Sequence, residues 1–447
     1  MRAHVHLAFA FALLACGDRG VSELSIPPIP PEPSTAVVAA KRPAARSATA
    51  FRDGGIPLSD VEIDRAVDDV LAKLLGAANA HARAIDRTLI ARARELFAAR
   101  DRGLDEAWRA LVDAIERWRR ASPTDLSSAG ALQGPAAALN TAFERLGLGY
   151  HVHASNTTDV ASGRISGIVD VYAVARVDRL SANGTVRRVL ELADRGAAAE
   201  APPGGELDAS LDDRTEPQGL VYVDSVARAV RSWVSPIAIG PPTLATAYRP
   251  SLDRQGRDPR DVIGAAIRRE LDAALGAPDD SAVDAWLERV RALAVASCAR
   301  HEVQHVLDWM RTPEEIPQLE VVSALQRAGA DVAWPFLEGE LTAYVSQIAN
   351  EPTIPRLMLA FQLVHALTEH PNNLSYIAVI MFEGIARHLG ITELPAIVHD
   401  RQLDRDRMFQ LAARVMETDG ASIRTAAAAL WRELYGNSVA TISDIPD

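Results

Sequence analysis

The chain of 447 residues carries 47 basic against 59 acidic side chains, a formal net charge of −12, and this balance argues against nucleic-acid binding, which needs a clustered basic surface. Hydrophobic residues make up 48% and mean hydropathy is near zero, which fits a soluble body with one large core or two to three smaller ones. Two cysteines, Cys16 and Cys298, exclude a disulfide framework, and few aromatics beside abundant Ala and Leu favour helices.

Residues 1–15 hold a single charge, Arg2, ahead of an apolar run from Leu7 to Ala15. That run is too short to span a bilayer as a mature helix and has the form of a signal-peptide core. The stretch Leu13-Leu14-Ala15-Cys16 resembles the lipobox of bacterial lipoproteins. The resemblance implies cleavage before Cys16 and lipidation of its thiol, placing the protein in the bacterial cell envelope, at the outer membrane in preference to the inner, or outside the cell. The membrane is then a partner through the lipid alone, because no later run reaches the roughly 18 apolar residues of a transmembrane helix.

Residues 16–55 include Ile26-Pro-Pro-Ile-Pro-Pro-Glu-Pro33 and a Ser/Ala/Arg stretch without apolar periodicity, the composition of an extended linker. Ser59-Asp-Val-Glu62 has capping-box form and opens a helical pattern through Leu75. With further helical stretches near 82–100 and 104–120, residues 56–148 form an expected helical module. From Tyr150 the period changes: Ile165–Val177 alternates and is rich in β-branched residues, Asn183-Gly184 is a hairpin signal, and Val186–Leu192 returns beside the first strand. Leu220–Val223 is a third expected strand, and 197–217 an expected loop. After Pro259 helices are expected almost to the end: one capped by Ser281 and running to Met310, then others near 318–328, 334–349, 354–368, 373–389 and 405–434. The order gives an α+β fold, predominantly helical, with a small antiparallel sheet at the head of a domain over 149–447.

The expected helix 281–310 carries His301-Glu302-Val303-Gln304-His305, an H-E-x-x-H motif. Residues four apart on a helix differ by about 40° and 6 Å of rise, so two imidazoles can converge on one ion. Glu302, about 100° round from His301, is better suited to hold and deprotonate a water on the metal than to join the ligands. Zinc, one ion per chain, suits these donors and keeps a position open. The stripe Val283, Leu287, Val290, Ala294 and Ser297 continues onto the histidines, so they face inward. A third ligand is needed, with Glu320, Glu338, Glu340 and Asp308 available. Asp308 could instead orient an imidazole.

Metzincins add a glycine and a histidine within six residues of the second ligand, where this chain has Asp308 and Arg311; that class is excluded. Gly339-Glu340-Leu341-Thr342-Ala343-Tyr344 resembles the E-x-x-A-[DY] segment of gluzincins, the thermolysin-like clan of zinc peptidases. The resemblance is confined to these two motifs. It implies a zincin-like helical metal-site domain, Glu340 as third ligand and a peptide or protein substrate. Tyr344, His365, His370 and Tyr376 lie where zincins often place a group that steadies the oxyanion. Cys298, one turn before His301, reads as a core residue. His151 and His153 share a strand face and read as surface residues in preference to a second metal site. A strand of the 165–192 sheet is expected to pair with an extended peptide.

The sequence thus points to a zinc-dependent hydrolase, a gluzincin-type metallopeptidase tethered to the envelope. The alternative is a non-enzymatic envelope lipoprotein whose helices bind partners, with the metal structural or absent; Glu302 beside two histidines counts against it. Hydrolysis of a cell-wall amide is a third use of the same site.

Overall fold

The computed structural model describes residues 87–120, 131–159, 164–194, 209–212, 218–246, 248–279, 282–309, 319–327, 334–366, 371–392, 397–399 and 402–445, together with Ile63, Val67 and Leu71. The signal segment, Cys16, the linker, the Ser59 capping box, Ser281 and His370 lie outside the described residues. The chain divides into two compact units, with the boundary between Ala173 and Val174.

In the first unit, helices α1 (Arg87–Arg100), α2 (Arg102–Arg120) and α3 (Gln133–Arg145) precede strand β1 (Tyr150–Asp159), which pairs antiparallel with the first part of β2 (Arg164–Ala182). Its core gathers Phe97, Trp108, Phe143, Tyr150, Val152 and Val171, with edge-to-face ring contacts from Phe97 to Trp108 and from Phe143 to Tyr150, both at 5.3 Å. Ile63, Val67 and Leu71, four residues apart, are helical and buried in the same core. Asn140 fastens α3 to β1 as a strand neighbour would: its amide donates to Val152 O at 2.8 Å and its carbonyl accepts from Val152 N at 2.6 Å. These contacts carry the unit into β2, beyond the expected limit near Leu148.

The second unit holds the remaining sheet and nine helices among the described residues: α4 (Val223–Ile239), α5 (Pro259–Leu275), α6 (Val283–Trp309), α7 (Glu320–Arg327), α8 (Trp334–Asn350), α9 (Pro355–His365), α10 (Asn373–His388), α11 (Arg405–Met416) and α12 (Gly420–Tyr435). The fold is α+β and predominantly helical. Strand β2 turns into β3 (Thr185–Asp194) at Asn183-Gly184, with φ of 50° and 80°, the doubly positive pair that fits the twist of a two-residue hairpin. The sheet continues β2-β3-β5-β4, where β5 is Gln218–Tyr222 and β4 is Ala209–Asp212, and β8 (Ile442–Asp444) pairs with Leu180–Ala182 of β2. A short separate pair joins β6 (Val398–His399) to β7 (Gln402–Leu403).

Four sequence expectations change here. The sheet is mixed, because β5 pairs parallel to β3 after a connection that contains β4. The 197–217 loop contains that strand. The third strand begins at Gln218 and gives way at Val223 to α4, whose buried Val223, Val226, Val230, Val234 and Ile237 have helical spacing; Pro236 falls in its last turn, and Arg268 caps the end by donating to Ile237 O and Ala238 O. The expected helix 405–434 is two helices, because the Asp419 carboxylate accepts from Ser422 N at 2.9 Å and starts α12 afresh.

The helix at the centre is α6. Every residue from Ser297 to Val306 is buried, as in a helix enclosed on all sides; it packs on α8, on α4 and on strands β3, β4 and β5. Polar side chains in this stretch therefore need partners. Arg300, 4% exposed, pairs with Glu351 at 3.2 Å and with Asp444 at 2.8 Å. Glu351 also accepts from Thr353 N and Ile354 N ahead of α9. Removing one partner of a buried pair strands the other, whereas an exposed partner rehydrates. Arg300→Ala should cost about 3–5 kcal/mol of unfolding free energy. Asp444→Asn, at a side chain 67% exposed, should cost at most about 1 kcal/mol. Denaturant titration measures both, and equal losses would contradict the arrangement.

Candidate metal centre

His301 and His305 project from one side of α6 with their Nε2 atoms 3.0 Å apart and their rings edge to face at 79°. Glu340, from the first half of α8, brings one carboxylate oxygen to 3.6 Å from His301 Nε2 and the other to 3.6 Å from His305 Nε2. Glu302 Oε1 lies 3.8 Å from His301 Nε2. All four side chains are buried.

The buried group His301, Glu302 and His305 could hold a metal ion: its ligand atoms lie within 4.8 Å of one another. Tetrahedral coordination at 2.0–2.1 Å separates neighbouring ligand atoms by about 3.3 Å. The imidazole nitrogens, 3.0 Å apart, are near that spacing, and each lies 3.6 Å from a different oxygen of Glu340, which borders the group.

The two helices are cross-linked along their length. Gln304 Nε2 donates to Asp308 Oδ1 at 2.8 Å, and Thr342 Oγ1 donates to Asp308 Oδ2 at 2.5 Å. Farther along, Gln347 Nε2 donates to Ser297 Oγ at 3.2 Å. Asp308 thus joins α6 to α8 two residues from Glu340. Tyr344 packs on the His301 ring at 4.3 Å between centroids, tilted by 52°; no acceptor for His301 Nδ1 is present among the described residues. Burial, reinforced by the Glu340 carboxylate, holds the Tyr344 hydroxyl well above its usual range, and the Gln362 side chain hydrogen-bonds to it.

The other expected residues fall elsewhere or play other parts. Glu320 is exposed on α7 and pairs with Arg327 at 2.5 Å. Glu338 is buried on α8, but two residues from Glu340 it stands about 200° round the helix. Cys298 is a buried thiol whose pKa is pushed up, chiefly by burial. Tyr376 is buried on α10, and His365 closes α9. His151, read as a surface residue, is 2% exposed in the first unit, where β1 is covered by α3; His153 is half-buried. Sequence reasoning missed Gln304 and Thr342, which carry no motif signal. It also missed Gly219, where a Cβ would stand 2.5 Å from Glu302 Cβ; a glycine inside a strand is itself a sign of close backbone approach.

No protein-family model matches the chain, and comparisons with curated proteins and with solved structures find no match. The chemistry of the site therefore rests on its own geometry.

Burial lowers the His305 imidazole from 6.5 to about 4, against the opposing pull of Glu340 and with a smaller contribution from His301. At neutral pH its ring is neutral, the state a metal requires. The folded value lies below the unfolded one, so the unfolded chain holds more protons between the two. This contribution to stability is present above pH 6.5 and is lost as pH falls towards 4. In chelator, the Tm of the wild-type protein should fall more steeply over that interval than the Tm of His305→Gln; parallel profiles would contradict the assignment.

Proposed function

We propose that the protein is a zinc-dependent hydrolase, a gluzincin-type metallopeptidase held at the bacterial envelope by a lipid on Cys16. One observation carries the reading: a carboxylate from a second helix lies 3.6 Å from both imidazoles of an H-E-x-x-H helix, with the intervening glutamate 3.8 Å from the first. His301, His305 and Glu340 are the ligands in this reading, for one zinc per chain. Zinc held there supplies a Lewis acid that polarises the scissile carbonyl and acidifies water.

Glu302 is the general base. Its carboxylate takes a proton from the attacking water and returns it to the leaving amine. A purely structural site has no use for a carboxylate in that place, which favours the enzyme over the binding-protein alternative. Tyr344, with its proton retained and its ring against His301, is the residue this reading assigns to steady the oxyanion.

For substrate recognition, the strand edge beside the metal helix is the one of interest. Within the second unit β3 is paired on both sides, while β4 pairs only with β5 among the described residues. In this reading its outer edge receives an extended peptide by main-chain pairing, since β4 packs on the metal helix.

The two glutamates separate the roles. Glu302→Gln should keep one zinc per chain and lose about 10²–10⁴-fold in rate. Glu340→Ala removes a ligand, so zinc and activity should fall together. Elemental analysis beside cleavage of a mixed peptide library reads both. Equal zinc in every variant with no difference on any peptide or cell-wall substrate would replace the enzyme with the binding protein. For the tether, Cys16→Ser should release the protein from the membrane fraction; retention after a high-salt wash would refute lipidation.

A further inference from the structure

Strand β5 is buried along its whole length between β3 and β4, and Gly219 sits in it opposite Val189 and Leu211. Its backbone meets α6 at the general base. A Cβ on Gly219 would stand 2.5 Å from Glu302 Cβ, 3.5 Å from Glu302 Cγ and 3.3 Å from Val189 Cγ2, whereas carbon atoms in contact prefer about 3.5–4.0 Å. Gly219 is not among the glycines with positive φ. Alanine could take up the same backbone, so it is space and not conformation that calls for glycine.

We propose that Gly219 is a positioning residue for Glu302: the bare strand backbone is the floor on which the base is seated. The inference rests on the hydrolase reading above. With its Cβ and Cγ against the strand, Glu302 has few rotamers left, and its carboxylate is directed along the helix towards His301, 3.8 Å away. The helix cannot ride up to admit a larger residue without cost, because it is tied to α8 by the Ser297–Gln347 and Asp308–Thr342 contacts and to the turn between α8 and α9 by Arg300–Glu351. A methyl group at position 219 therefore turns the Glu302 side chain or forces strand and helix apart. The ligands lie on α6 and α8 and none on β5, so metal affinity stays with them.

Two measurements on the full chain test this. The first is the Tm of wild type, Gly219→Ala, Glu302→Gly and the double variant. Gly219→Ala should lower Tm by roughly 3–10 °C, and by less than half as much once Glu302→Gly has removed the opposing Cβ. Should Gly219→Ala fail to fold, recovery of a folded double variant makes the same point, and an equal loss in both backgrounds overturns the proposal. The second is the visible absorption spectrum of the cobalt-loaded chain at fixed pH. Gly219→Ala should alter the bands as Glu302→Gln does while cobalt affinity stays close to wild type. Unchanged bands with a folded, loaded variant overturn the positioning role. If the wild type takes up no cobalt, the metal reading itself fails, and the Tm cycle still decides whether Gly219 seats Glu302.

Discussion

A carboxylate and two imidazoles meet where water is excluded, and the second unit is arranged about that meeting. Glu340, His301 and His305 are each less than a tenth exposed. Ionised groups leave water at a cost of several kcal/mol unless they are paired. Two responses are open to such a cluster: its members become neutral, as His305 does, or a cation joins them. A divalent ion held there would offset the burial of Glu340 and Glu302 together, and each imidazole would give it a nitrogen lone pair in place of the 3.0 Å hydrogen bond between the two rings.

Holding such a cluster requires two rigid helices in fixed register. The ties between α6 and α8 are polar, from the half-buried Asp308–Thr342 at one end to the buried Ser297–Gln347 at the other. Each is specific in direction, so a slide of one helix along the other would break several at once. Arg300 extends the frame to the C-terminal strand through Asp444, and to the start of α9 through Glu351. On the opposite face β5 closes the site with Gly219. Order at the site follows from enclosure of α6 by partners on every side.

Much of this was legible in the sequence, for local reasons. His301, Glu302 and His305 lie within five residues on one helix, where periodicity alone fixes their mutual placement, and the apolar stripe from Leu287 to Ser297 showed which side faces inward. Glu340 came from a resemblance; its two oxygens lie 3.6 Å from the two imidazoles. What escaped depends on pairing at long range. That β5 runs parallel to β3 depends on how the chain crosses between them. Burial of His151 depends on α3 covering β1. The roles of Thr342, Gln304 and Gly219 exist only once helix and strand meet. The helix Val223–Ile239 had the right spacing, but Pro236 interrupts the pattern.

In the function proposed, two imidazole nitrogens and a carboxylate oxygen hold one zinc in the buried cluster. Zinc-edge X-ray absorption on the loaded chain tests it most directly. The first shell should be nitrogen and oxygen at about 2.0–2.2 Å, with two imidazoles, fourfold coordination and no sulfur; in His301→Ala one imidazole should be lost. A sulfur neighbour near 2.3 Å, which would bring Cys298 into the shell, or a spectrum unchanged in His301→Ala, would contradict it.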